Sequence, residues 1–149
     1  MKPSSEYQIS TDARRFDLAL IHDFLRSSYW AQGIPRHVVE RAVENSLCFG
    51  AFLQEQQVGF ARVITDRATF AYLADVFVVP EHQGRGVAKL LLRTILAHPD
   101  LQGLRRMLLA TKDAHKLYAP FGFEPLSNPK EYMTIHRPDI YHDKPIKNR

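Results

Sequence analysis

Cysteine is nearly absent from this sequence, with Cys48 the one thiol in 149 residues. No internal disulfide can form, and metal centres that need several thiolates are excluded. The seven histidines are scattered, with no H-x-x-x-H or Cys-His cluster, so no metal is expected. Long apolar runs are missing too: no stretch approaches the ~20 residues that cross a bilayer. Met1 to Ser10 lacks the apolar core of a secretory leader. A reducing cytoplasm is the expected location, with no membrane partner.

Negative charge is in short supply, with 16 acidic against 20 basic side chains and a net charge of +4. That excess favours an anionic partner, which composition alone leaves open among nucleic acid, a membrane surface and a polyphosphate-bearing ligand. Part of it lies beyond Tyr141, in Lys144, Lys147 and Arg149, and reads as a solvated end. No basic, aromatic-interleaved strand or recognition-helix pattern supports nucleic-acid binding. Cys48 sits in an apolar run and reads as inert packing.

What is present fits one domain over 1–149, with a core of about 5–137 and a flexible tail at 138–149. Tyr7 to Ser10 reads as a strand. Leu20, Ile21, Phe24 and Leu25 recur at helical spacing over 16–26, and Pro35 suits the first turn of a second helix carrying Val38, Val39, Ala42 and Val43. Between them lies an aromatic loop with Tyr29 and Trp30. Three strand-like runs follow, Leu47–Leu53, Val58–Thr65 and Phe70–Val79, joined by polar turns at Gln54–Gln57 and Asp66–Thr69. They predict an antiparallel meander. A helix led by Gly86 carries Val87, Leu90, Leu91 and Ile95 and stops before Pro99. Then come a strand over Arg106–Ala110, a short helix over Asp113–Ala119 and a closing strand over Tyr132–Ile135. The order predicts a mixed α/β, or α+β, domain in three layers, a mostly antiparallel sheet with helices on both faces.

Gln83-Gly84-Arg85-Gly86-Val87-Ala88 joins the third strand of the meander to the next helix. Glycines there let backbone N–H groups approach a ligand, and the positive end of the helix dipole favours phosphate. Arg85 and Lys89 add full charges. A tight turn with no ligand is the plain alternative. Neither the dinucleotide G-x-G-x-x-G nor the nucleotide G-x-x-x-x-G-K-[ST] pattern is complete, so another phosphate-bearing ligand is called for.

Asp75-Val76-Phe77-Val78-Val79-Pro80-Glu81-His82-Gln83-Gly84-Arg85-Gly86-Val87-Ala88 resembles the central motif of the GCN5-related N-acetyltransferases, [QR]-x-x-G-x-[GA]. A second motif of that family, a Leu-Tyr helix before a Gly-Phe strand, is matched by Leu117-Tyr118-Ala119-Pro120-Phe121-Gly122-Phe123. The resemblance implies acetyl-CoA as co-substrate. Phe77, Val78 and Val79 would hold its pantetheine arm, and Gln83, Gly84, Arg85, Gly86, Val87, Ala88 and Lys89 its phosphates. Thr111, standing where the family commonly has Asn, and Asp113 would contact the arm. The resemblance also implies Tyr118 as the acid for the departing sulfur, Asp75 as the base, and Tyr29 and Trp30 against the acceptor. Polyamine-acetylating relatives carry Glu where this chain has Ala74.

Each side chain has a plainer reading beside the catalytic one. Tyr118 can simply pack its ring, Asp75 can serve a structural hydrogen bond, Tyr29 and Trp30 can pin their loop, and His115 can be solvated. The expected function is direct transfer of an acetyl group to a primary amine of a small molecule. Acetylation of a protein, peptide or aminoacyl group stays open, as does a non-catalytic acyl-CoA-binding module. The oligomeric state is open as well, a homodimer included.

Overall fold

The strand-forming middle of the chain builds the scaffold. In the computed structural model, which describes residues 6–142, β2 (Leu47–Leu53), β3 (Gln56–Thr65) and β4 (Phe70–Val78) form the antiparallel meander. β1 (Tyr7–Ser10) pairs antiparallel with β2. β5 (Arg106–Leu109) pairs parallel with β4, so the sheet order is β1-β2-β3-β4-β5. A parallel neighbour needs a crossover, which α3 (Val87–Ala97) supplies. α1 (Leu18–Arg26) and α2 (Arg36–Glu44) lie between β1 and β2 in sequence, and α4 (His115–Tyr118) follows β5.

Alternation along the strands sorts side chains between two layers of helices. Phe49, Ala61 and Leu73 join Leu91, Leu92 and Ile95 of α3 in one core. Their strand neighbours Cys48 and Phe60, with Phe77, join Ile21 and Leu25 of α1 and Val39 of α2 in the other. A sheet covered on both faces explains why β2 reads as an unbroken apolar run.

Local chemistry sets the boundaries. Asp17 caps α1 by accepting from the Leu20 N–H at 3.0 Å, so the helix starts at Leu18 rather than at 16. The Asp66 carboxylate accepts from the Ala68, Thr69 and Phe70 N–H groups and from the Thr69 hydroxyl, closing the turn into β4. Those donors hold its carboxyl well below the usual range.

Two expectations near the C-terminus fail. The helix expected over Asp113–Ala119 is confined to His115–Tyr118 and passes into a 3-10 turn at Ala119–Phe121, where Pro120 ends the helical hydrogen bonding. The strand expected over Tyr132–Ile135 does not form, nor does one at Gly122–Phe123. Gly122 turns the chain with φ 101°, and a 3-10 turn at Pro129–Glu131 precedes Tyr132. With no paired neighbour the alternation of 132–135 has no face to bury, leaving Met133 98% and Ile135 85% exposed. The Arg106 guanidinium lies 5.4 Å from the Tyr132 ring centroid, so the segment passes β5 without joining it. The tail is docked at its start: Tyr141 packs on the α1 and α2 core, its carbonyl oxygen only 2.7 Å from where a Cβ on Gly33 would lie. Lys144, Lys147 and Arg149 lie outside the described residues. Among the described residues no helix is long and apolar enough to cross a membrane.

Candidate active site

The glycine turn is built as an open cradle. Gly84 and Gly86 have φ of 77° and 82°, a region other residues adopt only with strain, and a Cβ at either would meet nothing within 4 Å. Gly86 is the N-cap of α3 and offers no side chain to satisfy the first-turn N–H groups. These donors therefore face outward, with exposed Arg85 and Lys89 beside them. Val87 is buried in the core, anchoring the helix start. Gln83 turns back and donates its side-chain amide to the Val78 carbonyl at 2.9 Å, tying the turn to the end of β4. On its other flank the Tyr7 hydroxyl hydrogen-bonds His82 Nδ1 at 2.8 Å.

Above the cradle the sheet opens. The last rung between β4 and β5 is Leu73 with Leu109, after which β4 runs on alone through Val78 on that side. Opposite, β3 pairs Arg62 with Ala74 and Phe60 with Phe77, so Asp75 and Val76 together face Ala61 in a β-bulge. Asp75 takes φ 56° to make it, a left-handed conformation that Asp tolerates better than most. The bulge falls just past the last β4–β5 rung. Phe77 and Val78 bury their side chains in the two opposite cores, Phe77 stacked on Phe24 at 4.1 Å, so this stretch offers backbone to the opening. Val79, half-buried, donates its N–H to the Val58 carbonyl.

Tyr29 and Trp30 straddle that opening. The Trp30 indole N–H donates to Asp75 Oδ1 at 2.8 Å, on the β4 bank. The Tyr29 hydroxyl accepts from the Lys112 N–H at 3.2 Å, beyond the end of β5. The two rings meet edge to face, 5.1 Å apart at 84°, and stay 55% and 43% exposed. Asp75 is not a free carboxylate, because Arg62 Nε also donates to its Oδ2 at 2.7 Å in a largely buried pair. The carboxylate expected as base thus sits between two donors, one from the α1–α2 loop and one from β3.

Tyr118 is buried, its ring edge-on to Phe123. Desolvation raises its hydroxyl pKa, and the nearby Tyr29 hydroxyl raises it further. Among the described residues nothing hydrogen-bonds that hydroxyl, which leaves it available as a donor. Thr111 Oγ1 accepts from the Ala114 N–H at 3.0 Å, shaping the approach to α4, while Asp113 and His115 are exposed. Burial pushes the Cys48 thiol up to about 12, so it is no nucleophile. No group of three or more His, Cys, Asp or Glu able to hold a metal occurs among the described residues.

The fold thus brings Tyr118, Tyr29, Trp30 and Asp75 to one end of an opening whose other end is the glycine cradle. Sequence reasoning missed Arg62, Ser46 and Lys112. Arg62 carried a readable signal, a lone cation inside an apolar strand, while Lys112 contributes a backbone N–H that no residue type announces and an ammonium 5.2 Å from the Tyr29 ring centroid. Such an opening can admit a long phosphate-bearing ligand along a strand edge and expose its far end to a second reactant.

Comparisons with known proteins bear on this geometry. A model of the acetyltransferase (GNAT) family matches residues 18–123. A candidate acetyltransferase of Gibberella zeae is 33% identical over 136 aligned residues, covering 76% of this chain and 76% of its own. Among solved structures, a candidate acetyltransferase of the GNAT family from Xanthomonas campestris pv. campestris is 53% identical, covers 92% of this chain and 97% of its own, and superposes with a TM-score of 0.90. A candidate acetyltransferase from Clostridium acetobutylicum, solved with acetyl-CoA, shares the fold at a TM-score of 0.62 and 15% identity, covering 87% of this chain and 94% of its own.

Proposed function

The chain belongs to the GNAT acetyltransferase family, and from that premise we propose that it transfers an acetyl group from acetyl-CoA directly to the primary amine of a small molecule in the cytoplasm. The observation that carries this reading is the opening beyond Leu73 and Leu109, with an anion cradle at one end and a protonated tyrosine at the other. The outward N–H groups of the Gly84–Ala88 turn hold the pyrophosphate, with Arg85 and Lys89 adding charge. The edge of β4 beyond Leu73, which has no β5 partner, receives the amide groups of the pantetheine arm between Ala74 and Val79 where its backbone is free, and the thioester would then lie beneath Tyr29 and Trp30. Thr111 and Asp113 line the opposite bank.

Transfer then needs a neutral amine and a proton at sulfur. The amine nitrogen attacks the thioester carbonyl, the C–S bond breaks, and the Tyr118 hydroxyl gives its proton to the departing thiolate. The nitrogen loses one proton to solvent, and Tyr118 recovers one. Its raised pKa keeps Tyr118 protonated at neutral pH, as a donor requires. The inert Cys48 leaves no thiol for an acetyl-enzyme, which favours direct transfer over a two-step route.

Mixing the protein with acetyl-CoA and a panel of polyamines, aminoglycosides, amino acids, arylalkylamines and peptides, while following free thiol, tests the proposal. Thiol release that requires a small amine supports it. Release with peptides alone moves the acceptor to a protein, and acetyl-CoA binding without release to any member makes the chain a binding module.

A further inference from the structure

Asp75 makes two directed contacts beyond its own strand. It alone in β4 takes a positive φ, and the bulge this makes aims its carboxylate at the loop between α1 and α2. One oxygen holds the Trp30 indole N–H at 2.8 Å and the other holds Arg62 at 2.7 Å, while Arg62 is steadied by Ser46 at 3.2 Å. Across the opening, Lys112 fixes the Tyr29 hydroxyl through its backbone N–H.

We propose that Asp75 is a positioning residue: with Arg62 behind it and Lys112 on the far bank, it holds Trp30 and Tyr29 across the opening as the wall on which the acceptor docks. The identity of the acceptor as an amine rests on the acetyltransferase reading; the lock on Trp30 does not. An indole satisfied by water needs no carboxylate, and a tryptophan kept for packing would be buried rather than 43% exposed. Here a largely buried ion pair, 18% and 9% exposed at its side chains, instead orients a ring that stays open to solvent. The two rings stand nearly perpendicular, so an acceptor meets aromatic surface on two sides. Such a corner suits an amine with a flat apolar body, since the Lys112 ammonium already lies over the Tyr29 ring, 5.2 Å from its centroid.

Trp30 is the chain's only tryptophan, so its fluorescence reports the lock without any substrate. Asp75→Gly keeps the left-handed backbone while removing the carboxylate. Its emission is expected to move to the red and to quench more readily with acrylamide than in the wild type. Trp30→Phe leaves the Asp75 and Arg62 pair in place and removes only the indole. Both variants are expected to raise the acceptor KM about tenfold or more, the loss of a hydrogen bond to a charged group, with kcat at saturating acceptor falling less than about threefold. Unchanged emission in Asp75→Gly overturns the lock. An unchanged acceptor KM in Trp30→Phe overturns the wall. A fall in kcat of Asp75→Gly that exceeds its KM change, with Trp30→Phe fully active, makes Asp75 the base and overturns the positioning role. If the wild type acetylates nothing in the panel, the acetyltransferase reading fails while the emission comparison still decides the lock.

Discussion

Tyr118 combines two properties that seldom coincide on a tyrosine, burial of the ring and a hydroxyl left free to donate. Removing that hydroxyl in Tyr118→Phe should lower kcat by about 10² or more, the scale of general-acid contributions, with little change in acetyl-CoA affinity. Steady-state rates at saturating acceptor check this. The pH profile carries a sign as well: the active form is protonated and the pKa is raised, so kcat should hold to about pH 10, the ordinary tyrosine value, and fall only above it. At the cradle, Asn tolerates the left-handed conformation of Gly86 but fills the space before the α3 N–H groups. Gly86→Asn should therefore keep its fold by circular dichroism while calorimetry shows acetyl-CoA binding weakened about tenfold or more, the worth of one charge-assisted hydrogen bond. Tyr118 and the glycine turn were legible because residue type and order announce them. The Asp75 partners were not, since Arg62 and Trp30 meet it only through strand register and a loop crossing.

Among the elements, the turn into β4 depends on one carboxylate. Asp66 gathers three backbone N–H groups and one hydroxyl, which lowers its pKa in the folded state. A depressed carboxylate stabilises the fold above its unfolded value of ~3.9 and loses that contribution as pH falls below it. The melting temperature of Asp66→Ala should thus lie below the wild type at pH 7, and the gap should begin to narrow as both are titrated below about pH 4. The meander was readable because its strands are punctuated by this turn and by Gln54–Gln57. Boundaries erred by a residue or two where a cap decided them, as Asp17 did for α1. The closing strand was misread for a deeper reason. Alternation in Tyr132–Ile135 predicts a strand only if a neighbour supplies hydrogen bonds and a face, and sequence periodicity contains neither.

At the scale of the whole molecule, stability rests on two cores separated by one sheet, and α3 serves the larger of them. Leu91 is fully buried there. Leu91→Ala should cost about 2–5 kcal/mol, which at ~2–4 °C per kcal/mol for a chain of this size is a fall in Tm of about 10 °C by calorimetry. Because the same helix begins at Gly86, that variant should also bind acetyl-CoA more weakly at temperatures near its own Tm, and normally well below it.

The sheet's two borders, β1 and β5, are each four residues long. A border strand displays unpaired N–H and C=O groups that can recruit a foreign strand, and its length limits how many rungs such a growth front can offer. Here the long, apolar strands β2, β3 and β4 are interior, with neighbours on both sides except where β2 and β4 outrun their short partners, at Leu47–Phe49 and Ala74–Val78. Among the described residues the most apolar strands thus lie at the centre, and away from the β4 edge at the opening a foreign strand would meet mainly short stubs, a geometry that works against edge-to-edge growth.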